Sequence, residues 1–376
     1  MNNALREMEK TGKFYKDKRC LVTGGFGFIG SHVAASLEKA GAEVHVLDID
    51  TDANRDSSIN FCGLRDKVHI ITADITDKVT MEEIIRQLKC DVIFHFAAAA
   101  TVVEKAMDLP YLTVLANTMG LVNILEAVRK LNNSVYSVLF SSTDKVYGEA
   151  TELPYKENAT PLKAVGLYDS AKMAADVLAK SYAEVFKVNV VVIRLCNLFG
   201  PYDFNIDYRL IPKSMKHIYG EGVAPELYFH SLDHFRDYLY IDDAVRAMLM
   251  LAREKKCFGE IYNMPGCKYA STPGILKEIV NKVAEVEKRL NESDSDAVLA
   301  RGIRIKMGDP YHIVIEKQHL CGEKIKDSIG FIPEISFEEG LEKTILFYRD
   351  YFRTKNKQAG GIKQNGQYGK GQFILA

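Results

Sequence analysis

Residues 19–30 have the sequence RCLVTGGFGFIG, an apolar run followed by a glycine-rich turn. The first five residues are typical of a short buried strand, and residues 29–39 have the apolar spacing of a helix. Gly41 ends that helix, and residues 43–48 (EVHVLD) form a second apolar run. A strand, a turn, a helix and a strand in this order predict a right-handed βαβ unit with two parallel strands.

The alternation of apolar runs and helical periodicity continues beyond this unit. Further strands are predicted at residues 68–73, 92–96, 135–141 and 190–195, and helices at residues 81–88, 111–130 and 168–186. Helices that alternate with strands predict an α/β fold with a Rossmann-type, doubly wound parallel sheet. After residue 195 the periodicity weakens, and helices return at residues 242–254, 274–290 and 337–352. We therefore expect a smaller C-terminal lobe that is interleaved with the first domain.

Composition limits the classes of partner. The 376 residues carry a formal net charge of −1, which gives no overall field to attract nucleic acid or an anionic membrane. No apolar run is expected to span a bilayer, and the polar first 18 residues lack the apolar core of a signal peptide. The seven cysteines are scattered without a C-x-x-C pair, which argues against a disulfide framework or a zinc site. We expect a cytoplasmic protein with no metal, nucleic-acid or membrane partner.

The glycine-rich turn has the features of a dinucleotide site. Gly24, Gly27 and Gly30 allow the backbone to turn tightly and to approach a pyrophosphate, and the helix behind them offers free N–H groups. Asp48 lies 21 residues past Gly27 at the end of the second strand and can accept hydrogen bonds from ribose hydroxyls. Because a carboxylate there repels a 2′-phosphate, the pattern favours NAD over NADP. A tight turn without a ligand is the alternative.

The ends of the next two strands complete this predicted site. Asp74 and Ile75 follow the third strand and can meet an adenine, although Asp74 could equally cap the next helix. Ala97 is a small residue at the end of the fourth strand, where it leaves room for a dinucleotide or simply allows close packing. Besides the three glycines and Asp48, the predicted cofactor-binding residues are Phe28, Ile29, Asp74, Ile75, Ala97, Tyr168 and Lys172.

Tyr168 and Lys172 are four residues apart on a predicted helix, so their side chains project from one face. A phenol is a poor base at its usual pKa near 10. A lysine ammonium and a positively charged nicotinamide nearby both favour the phenolate, which can remove a hydroxyl proton while hydride leaves the adjacent carbon. A Y-x-x-x-K spacing is common by chance, and its position after five predicted strands favours catalysis over a surface pair.

A second group of polar residues, Thr143, Asp144 and Lys145, follows the fifth strand. Thr143 can hydrogen-bond the same substrate oxygen as Tyr168. Asp144 and Lys145 form an additional acid/base pair, which a dehydratase needs and a simple dehydrogenase or epimerase does not. Once C4 of a sugar is a ketone its C5 proton is acidic, so Asp144 could protonate the leaving O6 hydroxyl while a neutral Lys145 takes the C5 proton. The alternative is a capping Asp144 beside a solvated Lys145.

Several ordered motifs give the chain a resemblance to a known family. They are LVTGGFGFIGSH, LDID, ADITD, FHFAAAA, SSTDKVYG, YDSAK, RLCNLFGP and FRDYLYIDDAV, and the resemblance extends from about residue 18 to residue 352. By these motifs the chain resembles extended short-chain dehydrogenase/reductases of the nucleotide-sugar 4,6-dehydratase and epimerase branch. The resemblance implies NAD as cofactor, a nucleotide-diphosphate sugar as substrate, and a homodimer formed by the helices around residues 111–130 and 168–186.

The resemblance also implies roles for single residues. The catalytic triad that it implies is Thr143, Tyr168 and Lys172. Asn117 would be a structural or site-supporting position, and Asn197, in RLCNLFGP, would contact the substrate. Arg236, in FRDYLY, would hold the nucleotide diphosphate, a task that suits a guanidinium fork. Many 4,6-dehydratases of this branch have Thr-Asp-Glu where this chain has Thr-Asp-Lys, a variant that resembles CDP-glucose 4,6-dehydratases and inverting UDP-N-acetylglucosamine dehydratases.

These patterns predict an NAD-dependent nucleotide-sugar 4,6-dehydratase, with a 4-epimerase as the main alternative and a non-catalytic NAD-binding regulator as a third. The predicted NAD-binding Rossmann domain comprises residues 14–195 plus about 235–263. Residues 196–234 plus 264–352 would form the nucleotide-sugar-binding lobe. Residues 353–376 contain five glycines without a core pattern and are predicted to be a flexible tail.

Overall fold

A computed structural model describes residues 3–99, 103–290, 302–307 and 315–361. The strands in these residues are β1 Arg19–Thr23, β2 Glu43–Asp48, β3 His69–Thr72, β4 Val92–His95, β5 Ser137–Thr143, β6 Val190–Leu195, β7 Asn197–Phe199, β8 Glu226–Tyr228, β9 Phe235–Tyr240, β10 Ile261–Met264, β11 Lys268–Ser271 and β12 Arg304–Lys306. The longer helices are Asn3–Tyr15, Phe28–Lys39, Lys78–Leu88, Pro110–Lys130, Leu167–Phe186, Ile241–Arg253, Thr272–Arg289 and Phe337–Gly361, and shorter ones are Ser58–Phe61, Val103–Asp108, Leu210–Met215 and Glu323–Ile329.

Seven parallel strands form the main sheet in the order β10-β6-β5-β4-β1-β2-β3. The strand order reverses between β1 and β4, because β2 and β3 lie on one side of β1 and the remaining strands lie on the other. In a doubly wound sheet such a reversal opens a crevice at the carboxyl ends of the strands, where ligands bind. This confirms the predicted α/β, Rossmann-type parallel sheet.

Both faces of the main sheet are covered, which explains why its strands are apolar throughout rather than alternating. Leu21, Ile93 and Phe140 lie in the core beneath the helices Lys78–Leu88, Pro110–Lys130 and Leu167–Phe186. Val22 and Leu139 point to the opposite face, into a larger core shared with Phe28–Lys39, Ile241–Arg253 and the second lobe. The alternate side chains of each strand therefore stabilise two separate cores.

The second lobe is interleaved with the first domain, as predicted, but the boundary differs from the prediction. Its small sheet has the order β11-β9-β7, and β8 pairs with β12. The predicted boundary placed residues 235–263 in the first domain, whereas β9 lies in the small sheet and only the following helix, Ile241–Arg253, and β10 return to the large one. Sequence periodicity identifies β9 as a strand but does not show which sheet it joins.

The two ends of the chain are more helical than the sequence suggests. Residues 3–15 form a helix whose last residue, Tyr15, is fully buried and donates a hydrogen bond to the Leu249 carbonyl at 2.8 Å. The C-terminal helix Phe337–Gly361 continues nine residues beyond the predicted end at residue 352, so residues 353–361 of the predicted tail are helical. Residues 362–376 of that tail lie outside the described residues.

One helix requires a correction to the expectation about membranes. Pro110–Lys130 is long and apolar enough, by length and composition alone, to cross a bilayer. Its most apolar window is 61% buried within the protein, which is typical of a core helix that packs against a sheet. The helix also contains a π-helical turn at Leu115–Met119, where one extra residue is accommodated.

Candidate active site

Two adjoining cavities lie at the carboxyl ends of the main strands. A groove of about 700 Å³ runs along the glycine-rich turn and the ends of β2 and β4. A second cavity of about 400 Å³ lies between the end of β5 and the second lobe. The two share lining residues, so they form one continuous cleft; the shared residues are Ile29, Phe96, Ala98, Tyr208 and Arg209.

The structure brings together the residues that the sequence predicts. The groove is lined by Gly24, Gly27, Phe28, Ile29, Gly30, Asp48, Asp74, Ile75 and Ala97. The second cavity is lined by Thr143, Asp144, Lys145, Tyr168, Lys172, Asn197 and Arg236. Residues from several different strands, helices and loops thus meet in one cleft, as expected where parallel strands end together.

The glycine-rich turn forms a cradle that side chains would fill. Gly24 has φ +67°, and a Cβ there would lie 2.6 Å from the backbone nitrogen of Ala97 at the end of β4. Gly30 lies against Gly25, where a Cβ would come within 2.8 Å of the Gly25 Cα, so it allows the helix to approach β1 closely. Gly27 precedes the helix Phe28–Lys39 and cannot cap it with a side chain, which leaves N–H groups available to a phosphate.

Asp48 ends β2, and three groups donate hydrogen bonds to its carboxylate, one of them the Asp50 N–H at 3.3 Å. One carboxylate oxygen accepts the Phe26 N–H at 3.0 Å, and the other accepts Arg55 Nη1 at 3.0 Å. The side chain is only 7% exposed, and both Asp48 and Arg55 line the groove. Arg55 was missed by sequence reasoning because it comes from a loop without periodicity. Its charge partly offsets the carboxylate at the point where a ribose would bind.

The predicted alternatives for Asp74 are resolved in part. Its Oδ1 accepts the Thr76 N–H at 2.8 Å in a turn, while Asp77 is the residue that caps the helix Lys78–Leu88. Asp74 is therefore not the helix cap, and it lines the groove.

Asn117, in the π turn, accepts the Ala99 N–H and donates to the Ala99 carbonyl, both at 2.9 Å. Asn117 thus holds Ala99 at the wall of the groove through both of its backbone polar groups.

Thr143, Asp144 and Lys145 lie where β5 ends and a 3₁₀ turn, Asp144–Tyr147, begins. The Thr143 hydroxyl accepts the Lys145 N–H at 3.3 Å and donates to Asp144 Oδ1 at 3.2 Å. Asp144 is 4% exposed, and within the described residues its Oδ2 has no hydrogen-bond partner. Burial raises the pKa of Asp144 to about 7, because desolvation outweighs the opposing charges of Lys145 and Arg236. Asp144 is thus a carboxyl group that can carry a proton at neutral pH.

Lys172 and Tyr168 occupy the first turns of the helix Leu167–Phe186. The Lys172 ammonium donates to the Ser141 carbonyl at 2.9 Å and lies 4.8 Å from the Phe140 ring centre. Burial lowers the pKa of Lys172 to about 8, against the opposing charge of Asp176. Burial raises the pKa of the Tyr168 phenol above its usual value, and the opposing cation is Arg209, rather than Lys172 as we expected.

Cations surround the second cavity. Arg209 forms an ion pair with Asp203 at 3.1 Å, and Lys213 lies 4.9 Å from the Tyr228 ring centre. Arg236 donates to backbone carbonyls of residues 235, 315 and 316, at 2.6 to 2.8 Å, so its guanidinium also fixes a segment of the second lobe. Arg209 and Tyr228 were not predicted. The one sequence feature that could have indicated Arg209 is the pair of cations in RLIPK, residues 209–213, which lie just before and within a helix.

Comparison with known proteins identifies the family. A model of the family described as GDP-mannose 4,6 dehydratase matches residues 21–344, most of the chain. The chain belongs to the GDP-mannose 4,6-dehydratase family. This family lies within the extended short-chain dehydrogenase/reductases that comprise nucleotide-sugar dehydratases and epimerases, so the resemblance seen in the sequence motifs is confirmed.

Individual members of the family carry different names. The chain is 28% identical to human dTDP-D-glucose 4,6-dehydratase, with 89% of this chain and 91% of the relative covered. It is 30% identical to a UDP-N-acetyl-alpha-D-glucosaminuronate decarboxylase of Bacillus cytotoxicus, with 89% and 98% covered. The crystal structure of dTDP-glucose 4,6-dehydratase from Bacillus anthracis in complex with NAD is 26% identical and has a TM-score of 0.72, with 89% and 97% covered. The family is thus one of enzymes that modify nucleotide sugars.

Proposed function

We propose that the protein is an NAD-dependent nucleotide-sugar 4,6-dehydratase that gives a nucleotide-diphosphate 4-keto-6-deoxy sugar. The observation that carries the proposal is Asp144, a buried carboxyl group in the substrate cavity with an unpartnered Oδ2 and a pKa of about 7. A protonated carboxyl beside the catalytic tyrosine is the acid that loss of a hydroxyl group requires. The human and Bacillus anthracis relatives named as 4,6-dehydratases support the same reaction.

The groove fits NAD. The Gly24–Gly30 cradle and the helix N-terminus behind it would hold the pyrophosphate, and Asp48 would accept the adenosine ribose hydroxyls. The NAD in the Bacillus anthracis structure supports this cofactor. When bound, NAD supplies an acceptor for the hydride of the sugar C4 and returns that hydride at C6, so that it is regenerated in every cycle.

Tyr168 and Thr143 would act on the C4 hydroxyl. Tyr168 would accept the hydroxyl proton, and the Thr143 hydroxyl would hydrogen-bond the same oxygen as it becomes a carbonyl. The raised pKa of Tyr168 means that the phenolate needs positive charge near it. Arg209, which lines both cavities, contributes part of that charge, and Lys172 keeps the end of β5 in place through the Ser141 carbonyl.

Asp144 and Lys145 would then eliminate water. The C5 proton is acidic once C4 is a ketone, and Lys145, in its neutral form, would remove it. Asp144 would transfer its proton to the O6 hydroxyl as the C6–O6 bond breaks, so that one water leaves across C5–C6. After hydride reaches C6, protonated Lys145 would return the proton to C5, which gives the 4-keto-6-deoxy sugar. Proton exchange with solvent would return Asp144 to its protonated form and Tyr168 to its phenolate for the next cycle.

The remaining cavity residues suit a nucleotide diphosphate. Arg209, Lys213 and Arg236 place three cations around the cavity, and the Tyr228 ring lies beside Lys213. Two phosphates offer the negative charge that such an arrangement stabilises, and an aromatic ring provides a surface for a base. Asn197, at the first position of β7, lies on the same wall, where it would contact the sugar.

A direct experiment is to incubate the purified protein with UDP-, GDP-, CDP- and dTDP-hexoses, without added reductant, and to analyse the products by mass spectrometry. We expect one nucleotide sugar to yield a product lighter by one water without net formation of NADH. A product of unchanged mass with altered stereochemistry at C4 would instead identify a 4-epimerase. The absence of turnover with all of them would contradict the dehydratase and favour a regulatory NAD-binding protein.

We also propose that the protein is a homodimer. The helices Pro110–Lys130 and Leu167–Phe186 expose large apolar side chains away from the core, among them Tyr111 (78% exposed), Val177 (54%) and Val185 (67%). Apolar side chains clustered on two neighbouring helices are typical of a protein–protein interface. The same two helices are those that the family resemblance assigns to a dimer.

A further inference from the structure

Three potential metal ligands meet at the end of the main sheet that lies away from the active-site cleft. Glu43 and His45 belong to β2, and His69 is the first residue of β3. The parallel register pairs His45 with His69, and Glu43 lies two residues before His45, so all three side chains emerge on one face. One potential ligand atom of each residue lies within 4.8 Å of those of the other two.

We propose that Glu43, His45 and His69 bind one divalent transition-metal ion, with zinc as the preferred ion. Two imidazoles and one carboxylate are ligands that zinc takes in proteins, and the same set suits other first-row divalent ions. The two imidazole rings lie side by side on adjacent strands, stacked with centres 4.7 Å apart and planes inclined by 21°. One ring, that of the exposed His69, must therefore rotate before both rings can direct a nitrogen at the same ion. The backbone register, rather than a flexible loop, sets this arrangement.

Two of the three ligand atoms already lie near the spacing that a bound ion requires. His45 Nε2 donates a hydrogen bond to Glu43 Oε1 at 3.0 Å, and a metal ion would take the place of the proton in that bond. Two ligands on one tetrahedral zinc are about 3.4 Å apart, given zinc–nitrogen distances of about 2.0 Å. His45 is 7% exposed and held by its neighbours, whereas Glu43 and His69 are exposed and can close the remaining distance by side-chain rotation.

Arg19 provides the outer contact of this site. Its Nε lies 3.9 Å from Glu43 Oε2, and its Nη1 donates to the Leu88 carbonyl at 2.8 Å. The guanidinium is therefore held in place and orients the carboxylate, as outer contacts commonly do for metal ligands. Because its positive charge also opposes a cation, we expect binding of moderate strength rather than the tight binding of a four-ligand structural site.

An ion here would stabilise the fold without taking part in catalysis. It would join β2 to β3, which is the edge strand of the sheet, at the ends away from Asp48 and the cleft. A ligand that binds only the folded state raises the free energy of unfolding by RT ln(1 + c/Kd), where c is the ligand concentration, so the melting temperature rises with ligand concentration. The expected signature is therefore a zinc-dependent rise in melting temperature with little change in turnover.

The test is to titrate the full chain with zinc chloride and to measure binding by calorimetry and the melting temperature by thermal melts. A parallel titration with cobalt chloride is monitored by visible absorption. In His69→Ala and Glu43→Gln we expect zinc at this site to bind at least about tenfold more weakly, and the zinc-dependent rise in melting temperature to disappear. Asp66→Asn is the matched control, because it removes an exposed carboxylate three residues before His69 and no proposed ligand.

The difference in zinc binding between the wild type and the variants separates binding at this site from binding to the seven cysteine thiols. The control should bind zinc as the wild type does. Equal zinc binding and equal thermal shifts in wild type and His69→Ala would overturn the proposal, as would a wild-type protein whose melting temperature does not respond to zinc. Neither result depends on whether the protein is a dehydratase, because no turnover enters the measurement.

Discussion

At the scale of single residues, Asp144 combines two properties that oppose each other. Its burial keeps a proton on the carboxyl near neutral pH, which suits an acid catalyst, and the same burial costs folding free energy whenever the group ionises. The neighbouring Thr143 hydroxyl and the charges of Lys145 and Arg236 offset this cost only in part. Activity and stability should therefore respond in opposite directions when the carboxyl is removed.

We expect Asp144→Asn to lower kcat about 10²- to 10⁴-fold, because the amide keeps the shape of the side chain but cannot donate the proton to the leaving hydroxyl. The half-reaction at C4 should survive, so NADH should accumulate on the variant and be visible by absorbance after mixing with substrate. Tyr168→Phe is the control, since it should lose both the accumulation of NADH and the turnover. Full turnover by Asp144→Asn would exclude the proposed acid.

The pH dependence of stability follows from the same group. The folded-state pKa of Asp144 is about 7, above its ordinary value of 3.8, so between these pH values the folded protein holds a proton that the unfolded chain has released. The contribution of Asp144 to the free energy of unfolding therefore falls as pH rises through this window. Asp144→Asn should be more stable than wild type by on the order of 1 to 3 kcal/mol at pH 8 and equal to it at pH 4, as measured by urea denaturation of the cofactor-free protein. A difference that is the same at both pH values would assign the effect to packing.

Residues in continuous motifs could be predicted, and residues brought in by loops could not. The glycines, Asp48, Tyr168 and Lys172 lie at fixed positions relative to strand ends, so strand order alone places them in the cleft. Arg55, Arg209 and Tyr228 come from segments without periodicity, and only the folded chain shows where they lie. Glu43, His45 and His69 escape sequence analysis for a further reason, since their proximity depends on the pairing register of two strands.

At the scale of elements, a buried ion pair holds the catalytic segment to its neighbours. Arg194 of β6 donates to Asp176 of the helix Leu167–Phe186 at 2.8 Å and to the Tyr147 hydroxyl at 2.7 Å, and both charged side chains are at most 2% exposed. Tyr147 in turn donates to Asn263 of β10 at 2.7 Å. Because Tyr147 belongs to the same 3₁₀ turn as Asp144, this network fixes the proposed acid.

Arg194→Met should lower the free energy of unfolding by about 3 to 5 kcal/mol, because it leaves the Asp176 carboxylate buried without its partner. The measurement is denaturant unfolding followed by circular dichroism. The double variant Arg194→Met/Asp176→Leu should recover part of the loss, since it removes both charges of this ion pair. Equal destabilisation in the single and double variants would mean that lost packing, rather than charge, is responsible.

The C-terminal helix supports the cofactor groove from outside. Tyr351 and Lys355 both donate to Asp56 Oδ2, at 2.9 and 2.7 Å, and Asp56 follows Arg55 in the loop that lines the groove. We expect Tyr351→Phe/Lys355→Ala to weaken NAD binding about three- to tenfold, as the loop loses two charge-assisted hydrogen bonds, with kcat at saturating NAD unchanged. Titration calorimetry with NAD measures the effect. Lys343→Ala, which removes an exposed ion pair with Glu339 on the same helix, should bind NAD as wild type does.

At the scale of the whole molecule, the exposed apolar face on Pro110–Lys130 and Leu167–Phe186 predicts the assembly. Val177→Asp/Val185→Asp should convert a dimer into a monomer, because two carboxylates would be buried at the interface without partners. Analytical ultracentrifugation measures the change. Val79→Asp is the control, since Val79 is 77% exposed on a different helix, Lys78–Leu88. A wild-type protein that sediments as a monomer would contradict the proposed assembly.

The main sheet could be predicted closely, and the second lobe only in outline. Parallel strands covered on both faces appear in the sequence as short apolar runs, so β1, β2 and β6 were predicted with their observed bounds. The short strands of the small sheet carry mixed residues, and their partners come from distant parts of the chain. The helix Asn3–Tyr15 was missed because its sequence is mostly polar; Phe14 and Tyr15, in its last turn, pack on the core.

Because of the π turn at Leu115–Met119, the number of residues in this helix matters as much as the identity of any of its side chains. Deleting one residue there would restore regular helical hydrogen bonding. It would also rotate the preceding part of the helix by about 100° about the helix axis, relative to the part that follows. Asn117 would then no longer meet both polar groups of Ala99, and Tyr111 would turn away from the exposed face. Insertions and deletions, rather than substitutions, are thus the changes that this segment tolerates least.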